Sequence, residues 1–121
     1  MGAENPSSAA QPLTLRTDAV VVLVTWPADR DPVVLAHALV TERLAACVNV
    51  LAPMRSIYQW KGDFEDGPET QLVIKSRLSV VPRLFDRVRA LHPYEVPEFL
   101  VLPVASGSTA YLEWVNRQVG G

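Results

Sequence analysis

The segment Ala19-Val20-Val21-Val22-Leu23-Val24-Thr25 is almost entirely β-branched and ends at Trp26-Pro27. β-Branched side chains favour extended backbone, and proline removes a ladder donor, so the run predicts a strand that stops at Pro27. Its apolar residues fall at consecutive positions, not alternate ones. A strand of that pattern is buried on both faces, so whatever sheet it joins must be covered twice. Phe99-Leu100-Val101-Leu102, closed by Pro103, repeats the pattern near the other end of the chain.

The intervening sequence supplies the other elements. Asp31-Pro32 combines an N-cap residue with a first-turn proline, and Val34, Leu35, Ala38 and Leu39 recur at helical spacing, predicting a helix from Pro32 to Leu44. Cys47 to Lys61 returns to extended propensity, with Pro53 marking a bulge or an edge position. Gly62-Asp63 and Glu65-Asp66-Gly67-Pro68 carry turn chemistry, and Thr70 to Ser76 predicts the second strand of a hairpin. Ser79 is a plausible N-cap for a helix with Val81, Leu84, Phe85, Val88 and Leu91 on one stripe, stopping before Pro93. Ser108 opens a short last helix bearing Tyr111, Leu112, Trp114 and Val115.

The order is βαββαβ plus a terminal helix, the α+β pattern of a ferredoxin-like sandwich, in which both helices cover one face of an antiparallel sheet. The second face is left without cover, and self-association would supply it. The long strand from Cys47 points the same way: about fifteen residues at roughly 3.3 Å each span about 50 Å, more than a compact domain of this size. The hairpin should overhang, and an overhanging edge carrying Tyr58 and Trp60 calls for pairing with a neighbour. Both considerations predict a closed homo-oligomer.

Composition removes several function classes. A chain of 121 residues, 49% hydrophobic, fits one domain with an ample core. Met1 to Thr17 reads as a disordered tail ahead of a domain at 18–119. No apolar run approaches the roughly 20 residues of a membrane-spanning helix, and the start lacks the basic-then-apolar order of a secretory signal, so a cytoplasmic protein without a membrane partner is expected. Eleven basic and thirteen acidic side chains are interspersed, giving a formal charge of −2 and no single-sign field for nucleic acid. One cysteine excludes an internal disulfide and any CxxC site. No paired acid and base, activated nucleophile or phosphate loop stands out, and the expected function is non-enzymatic.

Four segments in this order, Ala46-Cys47-Val48-Asn49, Ser56-Ile57-Tyr58-Gln59-Trp60-Lys61-Gly62, His92-Pro93-Tyr94-Glu95-Val96-Pro97-Glu98 and Tyr111-Leu112-Glu113-Trp114, resemble the CutA divalent-cation-tolerance family. The resemblance covers roughly residues 18 to 118. It implies a ferredoxin-like homotrimer, similar in architecture to nitrogen-regulatory signalling proteins, with clefts between subunits. It also implies a link to copper and other divalent cations, without an accepted catalytic reaction. Some members carry a cysteine in the first strand and a second histidine beside the His-Pro-Tyr segment; Val24 and Leu91 stand at those positions here.

The candidate metal ligands are therefore His92, Glu95 and Cys47. His92 follows a helix and precedes a proline-stiffened turn that can hold imidazole and carboxylate together, or it can serve as a cap for the helix carbonyls. Cys47 is either packing or a soft ligand. Tyr58, Trp60, Lys61, Lys75 and Trp114 are candidates for a ligand cleft, where ammonium groups and aromatic faces would hold an anionic small molecule; the aromatics serve equally as interface packing. Two other outcomes are a ligand sensor that signals to a partner through the hairpin, and a trimeric scaffold that works by surface contacts.

Overall fold

A computed structural model describes residues 11–120. In chain order the elements are β1 (Leu13–Thr14), β2 (Ala19–Pro27), α1 (Val33–Thr41), β3 (Cys47–Val50), β4 (Met54–Trp60), β5 (Asp63–Arg77), a 3-10 turn (Leu78–Val80), α2 (Val81–Leu91), β6 (Leu100–Pro103), β7 (Gly107–Ser108) and α3 (Thr109–Gln118). The main sheet runs β3-β5-β2-β6, with β4 also paired to β5, and each of these pairings is antiparallel. It is an α+β fold.

The consecutive apolar run of β2 resolves into two faces. Val20, Val22, Val24 and Trp26 point into the core with Leu72 and Ile74 of β5, where α1 adds Leu35 and Leu39 and α2 adds Leu84 and Val88. The alternate residues Val21 and Leu23 lie opposite Lys75 and Val73 on one side and Leu102 and Leu100 on the other. Directly paired residues share a face, so these form the second surface of the sheet. It is only half-buried at Val21, Leu23 and Val73, and exposed at Leu100 and Leu102. Helix α3 instead packs its Val115, beside Tyr111 and Trp114, against Ala46, Val80 and Val119.

Several boundaries differ from the sequence expectation. Helix α1 ends at Thr41, short of Leu44, because Arg43 takes a left-handed φ of 61° that an α-helix cannot continue. Part of the N-terminal segment read as tail is ordered: Leu13–Thr14 pairs with Gly107–Ser108; Met1 to Ala10 lie outside the described residues. Ser79 sits inside the 3-10 turn and does not cap α2, whereas Ser108 Oγ accepts from Tyr111 N at 3.3 Å, as a capping serine should.

The largest difference concerns β5. Glu65-Asp66-Gly67-Pro68 is strand, not turn, and β5 runs unbroken for 15 residues. Only Lys61-Gly62 turns, with positive φ at both residues (51° and 84°), which is the geometry of a two-residue type I′ hairpin. Pro68 is tolerated because β2 pairs only as far as Glu69, leaving that side of Asp63–Pro68 as a free edge among the described residues.

Pro53 marks the bulge the sequence suggested. Val50 faces Leu72 and Met54 faces Glu69, so four steps along one strand match three along the other. Because side chains alternate with a period of two, one extra residue exchanges the faces. Odd-numbered Cys47 and Asn49 share the second face before the bulge; even-numbered Met54, Ser56, Tyr58 and Trp60 share it afterwards.

Candidate functional site

That exchange of faces builds a cleft. Tyr58, Trp60, Met54 and Ser56 from β4 form one wall, Thr25 and Glu69 the floor, and Pro93, Tyr94, Glu95, Val96 and Glu98 the opposite wall, around a volume of about 630 Å³. The size falls within the range of small-molecule sites. The second wall is the proline-bounded connection between α2 and β6, whose stiffness depends on its anchorage.

His92 is the anchor. It is 8% exposed, and its Nε2 donates to the Thr25 carbonyl at 2.6 Å while its Nδ1 accepts from Tyr94 N–H at 3.0 Å. A backbone N–H can only donate, so Nδ1 carries the lone pair and Nε2 the proton. The ring lies edge-on to Trp26 (4.8 Å between centroids) and tilted against Tyr94 (4.8 Å). Burial pushes its pKa below the usual histidine value, partly offset by the Thr25 carbonyl and the Glu69 carboxylate. Neither nitrogen is left for a metal ion.

Tyr94 continues the chain of contacts by donating its hydroxyl to Glu69 Oε2 at 2.8 Å. Glu69 is 9% exposed and stands at the floor of the cleft. The Tyr94 hydroxyl is made far less acidic than an ordinary tyrosine, first by burial and then by its bond to Glu69; Tyr58 shifts the same way, through burial and then Glu69 and Glu65. Gln71 ties the far end of the segment down: its Nε2 donates to Val24 O (3.0 Å), Leu72 O (3.1 Å) and Glu98 Oε2 (3.3 Å).

The metal set expected from the sequence does not assemble within one chain. Cys47 lies opposite Lys75, while the Thr25 that holds His92 lies opposite Gln71; those positions are four residues apart along β5, roughly 13 Å. Glu95 is exposed at the cleft and meets Lys61 at 3.8 Å. Among the described residues no three His, Cys, Asp or Glu side chains converge on a point that could hold a metal ion. This donor set does not fit a copper centre, which calls for several nitrogen or sulfur ligands.

The expected ligand cleft is half assembled. Tyr58 and Trp60 line it, and Lys61 stands at its rim with Nζ 5.9 Å from the Trp60 ring centroid. Lys75 is on the second sheet face, bonded to Asn49 Oδ1, and Trp114 stacks with Tyr111 in the α3 cluster. With both of these elsewhere in the chain, the lining among the described residues carries three carboxylates and no cation, which is unfavourable for an anion. Glu69 and Tyr94 are the functional residues that sequence reasoning passed over. Tyr94 lies inside the proline-bounded segment; Glu69 follows Glu65-Asp66-Gly67-Pro68, which reads as a turn when taken alone, and only the 15-residue strand places it at the cleft.

Comparison with known proteins agrees with this architecture. The model of the family "CutA1 divalent ion tolerance protein" matches residues 20–118. The divalent-cation tolerance protein CutA of Thermus thermophilus is 45% identical over 100 residues, covering 83% of this chain and 97% of its own. The human protein CutA is 49% identical over 94 residues; the match takes 78% of this chain but 52% of the human one. Among solved structures, the T. thermophilus protein superposes with a TM-score of 0.81 at 44% identity over 84% of this chain and 99% of that one, and CutA1 from Oryza sativa with 0.82 at 36% identity over 88% and 98%. On this footing the chain belongs to the CutA1 divalent ion tolerance family.

Proposed function

We propose that the chain acts in divalent-cation tolerance as a non-enzymatic, ferredoxin-like homotrimer whose cation-binding surface is the cleft between β4 and the 93–98 segment. The observation that carries this reading is the cleft's charge: Glu69, Glu95 and Glu98 line it without a lysine, arginine or histidine among the described residues. Carboxylate oxygens suit hard dications held weakly, and a neighbouring subunit would have to add donors before a tighter ion such as copper could be held. The sheet order supports the ferredoxin-like assignment, with β2, β3, β5 and β6 as its four strands. The trimer is supported by the second sheet face and by the overhanging β4–β5 ribbon, which leave Leu100, Leu102, Ile57 and Phe64 exposed.

Two measurements test the proposal. Sedimentation velocity should give three times the mass of the chain, and a monomer at micromolar concentration would overturn the assembly. Calorimetric titration with Mn(II), Ni(II) and Zn(II) should show weak, saturable heats that shrink in Glu98→Gln but persist in a folded His92→Gln variant. Equal heats in the wild type and Glu98→Gln would remove the cleft from the reading.

A further inference from the structure

We infer that the ligand class best matched to this cleft is an aliphatic polyamine, an organic chain carrying several ammonium groups; this rests on the reading of the cleft as a cation site. Charge distribution is the first reason. Glu69 ends the paired half of β5, whereas Glu95 and Glu98 sit on the opposite wall, and no three such side chains meet at a point. A metal ion concentrates charge and needs its donors gathered within about 2–2.6 Å. A polyamine spreads its charge along a chain, and carboxylates set apart around a cleft can each meet one of its ammonium groups.

The walls between those carboxylates give the second reason. Met54, Pro93 and Val96 offer apolar surface to the methylene segments, as the stems of lysine side chains pack on apolar ground while the charged head reaches a polar partner. Trp60 and Tyr58 present aromatic rings, which attract ammonium groups through their negative faces. A hydrated metal ion would gain nothing from these surfaces. The Tyr94 hydroxyl donates to Glu69 Oε2 at 2.8 Å, which fixes one carboxylate at the floor between these surfaces.

The chain itself supplies the third reason. The ammonium of Lys61 stands 3.8 Å from Glu95 Oε2 and 5.9 Å from the Trp60 ring centroid. An alkylammonium tethered at the rim thus already makes one carboxylate contact and one aromatic contact of the kind a free polyamine would make deeper in the cleft. Both side chains of that ion pair are largely exposed, so displacing it costs little.

Spermidine is the probe, followed by calorimetry and by Trp fluorescence on the intact protein. Two controls separate the contributions: Mg(II), with charge but no stem, and 1,8-octanediol, a neutral chain of similar length. The expected result is saturable spermidine binding, at least about tenfold tighter than either control, weakened about tenfold in Glu98→Gln and weakened with loss of the fluorescence change in Trp60→Leu. Lys61→Ala, which removes the competing ammonium, should bind spermidine as well as the wild type or better. Octanediol binding as tightly as spermidine would reduce the cleft to an apolar groove and overturn the inference, as would unchanged binding in both Glu98→Gln and Trp60→Leu. Saturable Zn(II) binding without spermidine binding would overturn it while leaving the cation cleft standing. Absence of both would bring the two down together.

Discussion

The two halves of β5 make an instructive pair, because one continuous strand serves two purposes. From Thr70 to Ser76 it lies between β3 and β2 under both helices, and Leu72, Ile74 and Ser76 are fully buried. From Asp63 to Pro68 it has β4 on one side and a free edge on the other, and Phe64 is 72% exposed. The strand is continuous; its neighbours and its covering layer differ. The first half earns stability from burial, whereas the second keeps its apolar side chains available for contacts outside the chain.

Substitution in the buried half should have the largest effect. Ile74→Ala removes a side chain with 0% exposure in the central cluster and should cost about 3–4 kcal/mol in urea unfolding, read as a lower midpoint at unchanged slope. Phe64→Ala on the overhanging half should leave unfolding of the isolated chain nearly unchanged but raise the dissociation constant of the proposed trimer in sedimentation equilibrium. A matching loss of stability from Phe64→Ala would erase the contrast between the halves.

The junction between the halves, where His92 and Tyr94 hold the cleft wall to Thr25 and Glu69, should come next. Tyr94→Phe leaves a nearly buried carboxylate without its hydroxyl donor and should cost about 1–3 kcal/mol, measured by chemical denaturation at neutral pH. The pH dependence follows from His92, whose folded pKa is depressed below the ordinary value of 6.5. The unfolded chain therefore binds the proton more readily, so the stability contribution is complete above about pH 6.5 and declines as the pH falls toward the depressed folded value. Protonation would also place a proton on Nδ1 against the Tyr94 N–H. His92→Gln should flatten that part of the stability profile; an unchanged slope would show that another group is responsible.

Smaller effects belong to the tip. Gly62→Ala should cost about 1 kcal/mol through its φ of 84° alone, since among the described residues nothing lies within 4 Å of the added methyl group. Arg55→Ala breaks the two 2.7 Å contacts to Asp66, but both residues are exposed, and thermal unfolding should hardly move. A substantial loss there would mean that the pair is covered in the assembled protein.

Local sequence signals were sufficient where they did not depend on a distant partner. The β-branched run fixed β2, Pro93 ended α2 in advance, Ser108 capped α3, and Pro53 announced the bulge. The motifs were enough to point to the family. They were not enough for Glu65 to Pro68, whose residues favour a turn when read alone and become strand because β4 lies alongside to pair with them. Nor could spacing along the chain reveal that Lys75 and Trp114 lie outside the cleft, that one bulge turns Tyr58 and Trp60 into it, or that both nitrogens of His92 are already used. Propensity and periodicity act over a few residues and are written in the sequence. Which side chains meet across a sheet, and which donors are already spent on each other, depends on strand register and packing between residues as far apart as Thr25 and His92, and only the tertiary structure decides it.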